Sequence, residues 1–212
     1  MRSVKHWTPN YVLARAGEIA YRRRYPDLPW LTQFANEFLG GYMRPSDIGL
    51  EFGSGRSTLW FAARVSQLVS VEHDKDWHCK VSASLGKKKL GNVDYRYLAG
   101  DLADAPAMEC AIRAITDSFK AEHFDFVLVD GVYRDICAKE ALRLIRPGGM
   151  LIIDNVNRHL PSNSVSPQSR SLAMGPEGAT WASIAATLGS WRCFWTSSGV
   201  TDTAIYFKPI HA

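Results

Sequence analysis

Short apolar runs alternate along the chain with longer stretches whose apolar residues recur every three or four positions. The runs are Ile48 to Phe52, Leu68 to Val71, Val93 to Leu98, Phe124 to Val129 and Met150 to Ile153. Within them, Phe126-Val127-Leu128-Val129 is nearly continuous rather than alternating, the pattern of parallel strands covered on both faces. Ser57 to Val65, Asp135 to Ile145 and the segment near Trp181 to Leu188 read as helices, the first two as crossovers. Ahead of the strands, Thr8-Pro9 predicts an N-cap with proline at the first helical position, followed by Tyr11, Val12, Arg15, Ala16, Ile19 and Ala20 at helical spacing. Pro26 ends that helix. A second helix is expected from about Trp30 to Leu39, with Leu31, Phe34, Ala35 and Phe38 on one face and Gly40-Gly41 and Pro45 breaking it. Near the end, Cys193 to Thr196 and Thr203 to Phe207 flank a turn-forming stretch and predict an antiparallel hairpin at a sheet edge.

This alternation predicts an α/β fold, a doubly wound, mostly parallel sheet with helices on both faces. A length of 212 residues with 46% hydrophobic content suits one domain. Residues 1–45 form a helical N-terminal extension in this reading, 46–209 the core, and 157–179 a Ser-, Pro- and Gly-rich loop long enough to predict a functional segment. No run approaches the roughly 20 apolar residues of a membrane span, and the N-terminus lacks a secretory apolar core, so a soluble cytoplasmic protein is expected. Cys79, Cys110, Cys137 and Cys193 form no Cys-x-x-Cys pair, which argues against a zinc ribbon or a redox motif. Much of the net charge of +4 lies in Arg22-Arg23-Arg24 and Lys87-Lys88-Lys89, read as solvated helix or loop positions, with a docking patch for an anion as the alternative.

The chemistry gathers at strand ends. The first strand runs into Glu51-Phe52-Gly53-Ser54-Gly55, where glycines allow a sharp turn and close approach to a ligand. A carboxylate inside an apolar strand needs a donor or a cation beside it, so Glu51 points to a cationic ligand, or to a loop amide that it caps. The second strand ends in Glu72-His73-Asp74, about 20 residues after the glycine turn, where a ribose is held by its hydroxyls. The third leads into Asp101-Leu102, a candidate reader of adenine with His73 and Leu102 as apolar walls; Asp101 capping the next helix is the alternative. The fourth and fifth end in Asp130-Gly131 and Asp154-Asn155. Ligands in open α/β sheets bind beyond the carboxyl ends of strands, and five strand ends bearing acids make one candidate rim.

Taken together, Glu51-x-Gly53-x-Gly55, Glu72, Asp101, Asp130 and Arg146-Pro147-Gly148-Gly149 resemble the class I S-adenosylmethionine-dependent methyltransferases over roughly residues 47 to 209. The resemblance implies a seven-stranded sheet with an antiparallel last strand and S-adenosylmethionine as cofactor. It places Glu51, Gly53, Ser54 and Gly55 at the methionine end, Glu72 at the ribose, and His73, Asp101 and Leu102 at the adenine, with Asp130 also at the cofactor. A nicotinamide-dependent oxidoreductase shares the glycine turn, but Thr58 stands where its third glycine belongs; a cofactor-binding protein without turnover keeps the same motifs. A small hydroxylated acceptor is expected rather than nucleic acid, because an acid-rich rim repels phosphates. Asp130, Tyr133, Asn155, Arg158 and His159 are candidates to orient or deprotonate it. Asp130, Asp154 and Asn155 also match the positions that carry a metal in catechol-type O-methyltransferases, and hard oxygen donors suit magnesium. The chain departs from that group in having Tyr133 where a lysine is expected and Gly131 in place of a bulkier residue.

Overall fold

A computed structural model describes residues 7–210. Its centre is a seven-stranded sheet in the order β3-β2-β1-β4-β5-β7-β6. The strands are β1 (Ile48–Phe52), β2 (Gln67–Glu72), β3 (Val93–Tyr97), β4 (Phe124–Val129), β5 (Ile145–Asp154), β6 (Arg192–Ser197) and β7 (Asp202–Phe207). The first five pair in parallel, and β7 runs antiparallel between β5 and β6. The strand order reverses between β1 and β4, which opens the rim crevice there.

Among the described residues seven α-helices flank the sheet: α1 (Pro9–Arg24), α2 (Gln33–Tyr42), α3 (Arg56–Ala62), α4 (Lys75–Lys88), α5 (Ala105–Thr116), α6 (Arg134–Leu144) and α7 (Gly178–Leu188). The near-continuous apolar strands divide by alternate residues between two cores. Phe124, Val127, Val129, Leu151, Ile153, Ala204 and Tyr206 pack with α5, α6 and α7. Phe126, Leu128, Met150, Ile152 and Ile205 pack with α2 and α3 on the other face. A strand with polar residues at every second position could not have filled both layers. No helix among the described residues is long and apolar enough to cross a membrane.

The first helix begins as its sequence dictates, Thr8 accepting from the Tyr11 amide at 3.2 Å and Pro9 opening the helix. It contains no buried residue. The second helix differs from expectation in span and face. Thr32 is its N-cap, it continues through Gly40-Gly41 to Tyr42, and it buries Ala35, Asn36 and Leu39, while Phe34 is 58% exposed. Two glycines in a last turn cost helix propensity without removing a hydrogen bond. The Met43 amide still donates to Leu39, and Pro45 lies beyond the end.

Gly49 of β1 faces Phe126 of β4, and a Cβ there would lie 2.1 Å from the Phe126 ring. That ring is fully buried and packs on Phe61 at 4.8 Å, so it has nowhere to retreat. Gly49→Ala is therefore expected to destabilise the protein by on the order of 2–3 kcal/mol in urea unfolding. An unchanged midpoint would show that the contact relaxes freely.

Candidate functional site

The crevice is shaped by backbone approach between the ends of β1 and β4. Gly53 has φ +94°, and a Cβ on it would lie 2.6 Å from the Gly131 amide nitrogen, so only glycine fits. The Gly53 amide donates to Val71 at 2.9 Å and the Asp130 amide to Phe52 at 2.8 Å, which ties β1 to both neighbours at the rim. Gly55 differs. With φ 164° its backbone is extended, and a Cβ would meet only the Trp77 indole, at 3.8 Å.

Beneath this turn lies Glu51, with no exposed surface. Its Oε2 accepts from the Thr58 hydroxyl at 2.6 Å and the Ser70 hydroxyl at 2.7 Å. The Thr58 oxygen also accepts from the Gly55 amide at 2.9 Å, linking the carboxylate to the turn above it. Glu51 Oε1 is buried with no partner. Burial is the main reason its pKa is pushed up to about 7, against the nearby hydroxyls of Ser57, Thr58 and Ser70, which pull it down.

Glu72, almost fully buried, is saturated by its own surroundings. Oε2 accepts from the Ser54 amide at 3.0 Å and hydroxyl at 2.8 Å, while Oε1 accepts from the His73 and Asp74 amides, both at 2.8 Å. The Ser54 hydroxyl has a second neighbour, the Tyr95 hydroxyl at 2.6 Å, and the Trp77 indole N–H donates to the Ser54 carbonyl at 2.9 Å. A cavity of about 310 Å³ is lined here by Gly53, Ser54, Glu72, His73, Asp130 and Val132, among others. Asp101 is exposed and closes a turn by accepting from the Ala103 amide at 2.9 Å; the cap of α5 is Asp104, so Asp101 does not cap that helix. Leu102 is 48% exposed, and its carbonyl accepts from the Tyr133 hydroxyl at 2.7 Å.

At the ends of β4 and β5, Asp130 and Asp154 have raised pKa values. Burial is the leading cause for both; Glu51 adds to it at Asp130 and Asp130 at Asp154, and Arg134 opposes the rise at each. Asp154 Oδ1 accepts from the Thr203 hydroxyl at 2.8 Å, and the Asn155 amide donates to Thr201 at 2.5 Å. The Arg134 guanidinium bonds Asp130 Oδ1 at 2.7 Å. No group of three His, Cys, Asp or Glu residues among those described is placed to hold a metal. With Arg134 on Asp130 Oδ1 and the Asn155 side-chain amide turned to Thr201, the trio Asp130, Asp154 and Asn155 is arranged around a guanidinium rather than around magnesium.

A second cavity, about 440 Å³, shares Gly131 with the first and is lined by Tyr133, Arg134, Asp135, Arg158, His159, Glu177 and Trp181. His159 stacks on Trp181 at 4.8 Å and its Nδ1 lies 2.5 Å from Glu177 Oε2. Burial lowers its pKa first, and the charges of Arg134 and Arg158 also lower it, against Glu177. Residues 157–179 are hydrogen-bonded at both ends of the loop: Asn157 bonds Pro167, Ser169 and the Asp202 amide, and Glu177 N–H donates to His159.

Gly53, Ser54, Glu72, His73 and Asp130 line one crevice, with Glu51 buried behind it and Gly55 next in the turn, while Tyr133, Arg158 and His159 line the cavity beside it; Asp101, Leu102 and Asn155 line neither. Sequence reading missed Arg134, Trp77, Thr58 and Ser70. Thr58, seven residues after Glu51 and three after Gly55, carried a spacing signal; Arg134 carried none beyond its place after a strand end.

No protein-family profile and no curated protein sequence matches the chain. Solved structures do. An O-methyltransferase from Bacillus cereus, in complex with S-adenosylhomocysteine, is 20% identical with a TM-score of 0.58, the match covering 95% of this chain and 91% of that one. A methyltransferase-like protein from Silicibacter pomeroyi is 21% identical with a TM-score of 0.55 over 82% of this chain and 84% of its own. A methyltransferase from Geobacter sulfurreducens is 13% identical with a TM-score of 0.55, covering 92% and 90%. The chain thus has the class I methyltransferase fold, with its seven-stranded sheet and antiparallel β7.

The Glu51 carboxyl makes stability depend on pH with a definite sign. Its folded pKa of about 7 lies above its ordinary value of 4.5, so its contribution is fully present below about 4.5 and is lost as pH rises through 7. Relative to Glu51→Gln, the wild-type protein should lose on the order of 2–3 kcal/mol between pH 5 and pH 8.5 in chemical denaturation. Parallel profiles for the two proteins would mean that the group titrates normally.

Proposed function

We propose that this protein is an S-adenosylmethionine-dependent methyltransferase that methylates a small-molecule acceptor at a hydroxyl oxygen. The observation that carries the reading is the unpartnered Oε1 of Glu51, buried under a glycine turn in which a side chain at Gly55 would meet only the Trp77 indole. An orphaned carboxylate oxygen in an apolar sheet calls for a cation, and S-adenosylmethionine brings both an ammonium and a sulfonium. The similarity to a methyltransferase fold seen with S-adenosylhomocysteine bound supports the same assignment.

The bound cofactor supplies an electrophilic methyl group; the chain supplies position and a dry, dipolar surround. Gly53, Ser54 and Gly55 receive the methionine end. Glu72 takes the ribose hydroxyls by giving up the Ser54 hydroxyl, which has the Tyr95 hydroxyl as its other partner. His73, Asp101 and Leu102 bound the adenine, with the loop of Asp101 and Leu102 held by the Tyr133 hydroxyl.

The acceptor occupies the 440 Å³ cavity that meets the cofactor crevice at Gly131. Asp130, Asn155 and Arg158 orient it. His159 is suited to remove the hydroxyl proton: its lowered pKa keeps the imidazole neutral near pH 7, and Glu177 holds Nδ1 so that Nε2 can accept. The loop 157–179 forms one wall through His159 and Glu177.

A side chain at Gly55 tests the assignment without disturbing the fold, since only ordinary contact with Trp77 awaits it. Gly55→Val should keep the wild-type thermal midpoint and weaken S-adenosylhomocysteine by on the order of 100-fold in calorimetry. Equal affinity in the two proteins would place the cofactor elsewhere or exclude it.

A further inference from the structure

Arg134, the first residue of α6, lies with its side chain 17% exposed and spans the ends of β4 and β5. Its Nε donates to the Gly131 carbonyl at 3.0 Å. Nη2 donates to Asp130 twice, to the carbonyl at 3.1 Å and to Oδ1 at 2.7 Å, and Nη1 donates to the Asp154 carbonyl. One guanidinium thus joins two neighbouring strand ends through four acceptors, all of them oxygens that a hard divalent cation would also seek. Of the other rim groups, Asp154 accepts from Thr203 through Oδ1, and Asn155 is held through its side-chain nitrogen, which donates to Thr201.

We infer that Arg134 is a built-in cation standing where a metal-using relative of this fold would carry its ion, so that the rim excludes divalent cations for as long as the guanidinium is present. A planar fork with five donors suits this place better than a lysine, because it can hold Asp130 and two further carbonyls at once. Four of the five N–H groups are spent on the rim. The second Nη1 hydrogen has no acceptor among the described residues, and Arg134 lines the 440 Å³ cavity. That donor is directed to an acceptor oxygen. The acceptor class follows, resting on the methyltransferase reading above: a single hydroxyl or oxyanion is enough, and a pair of adjacent hydroxyls able to chelate a metal is not required.

Manganese uptake, followed by loss of the free-ion signal in electron paramagnetic resonance, tests the exclusion without any acceptor. Saturated with S-adenosylhomocysteine or free of it, the wild-type protein should leave the signal unchanged up to about 1 mM manganese, the weak end of oxygen-ligand sites. Arg134→Gln and Arg134→Ala should each take up one ion at least about 10-fold more tightly than wild type, because two carboxylates then face each other without a cation. Adding Asp130→Asn should abolish the new uptake. Wild-type uptake that Asp130→Asn removes would overturn the inference, as would a folded Arg134 variant that binds no manganese. If neither variant folds, the wild-type and Asp130→Asn arms decide alone, and absence of uptake in both supports the inference. Cofactor affinity measured on the same samples reports on the methyltransferase reading separately.

Discussion

A carboxylate with no exposed surface stands in the sheet of this protein, and the architecture of the rim answers it. Glu51 sits on β1 beneath the glycine turn, where desolvation opposes its charge. Two hydroxyls, one from α3 and one from β2, meet a single oxygen, and the other oxygen is left without a partner. Replacing the pair by apolar packing would be the stable solution for a fold with no ligand. An acid kept here at a cost in stability points to a ligand whose charge completes it.

The remainder of the rim is rigid for reasons that serve the same end. Gly53 and Gly131 bring β1 and β4 to backbone contact, so the crevice walls cannot drift apart by a side chain's width. Glu72 gathers three amides and a hydroxyl, which fixes the turn after β2 against the turn after β1. Arg134 does the corresponding work between β4 and β5. The site is therefore pre-shaped on strand ends rather than on free loops, which suits a reaction whose rate depends on placing two atoms in line.

Much of this was legible in the sequence, and the parts that were not share a cause. Strands β1 and β4 and the start of α1 follow from local pattern, because apolar continuity and a proline after a cap act within a few residues. The second helix was placed about three residues too early, and of its expected face Leu31, Ala35 and Phe38 pack in the core while Phe34 does not; the burial of Asn36 and Leu39 is decided by contacts distant in sequence. Asp104, not Asp101, caps α5, which removes the capping alternative for Asp101 because both precede the same helix. Glu51, the glycines and Glu72 were readable as a spaced motif. Arg134 was not, since nothing local reveals that a guanidinium will fold back over Asp130 and reach Asp154, and the trio of oxygen-bearing residues then looked free for a metal.

Glu51 keeps one carboxylate oxygen buried without a partner, and a bound cation would complete it. Carbon-13 NMR of the side-chain carboxyl, assigned with Glu51→Gln, measures its titration with and without S-adenosylhomocysteine. The expected midpoint is near 7 in the free protein and lower by on the order of 2 units when the ligand's ammonium is bound. A midpoint near 4.5 in the free protein, or one that the ligand leaves unmoved, would contradict it.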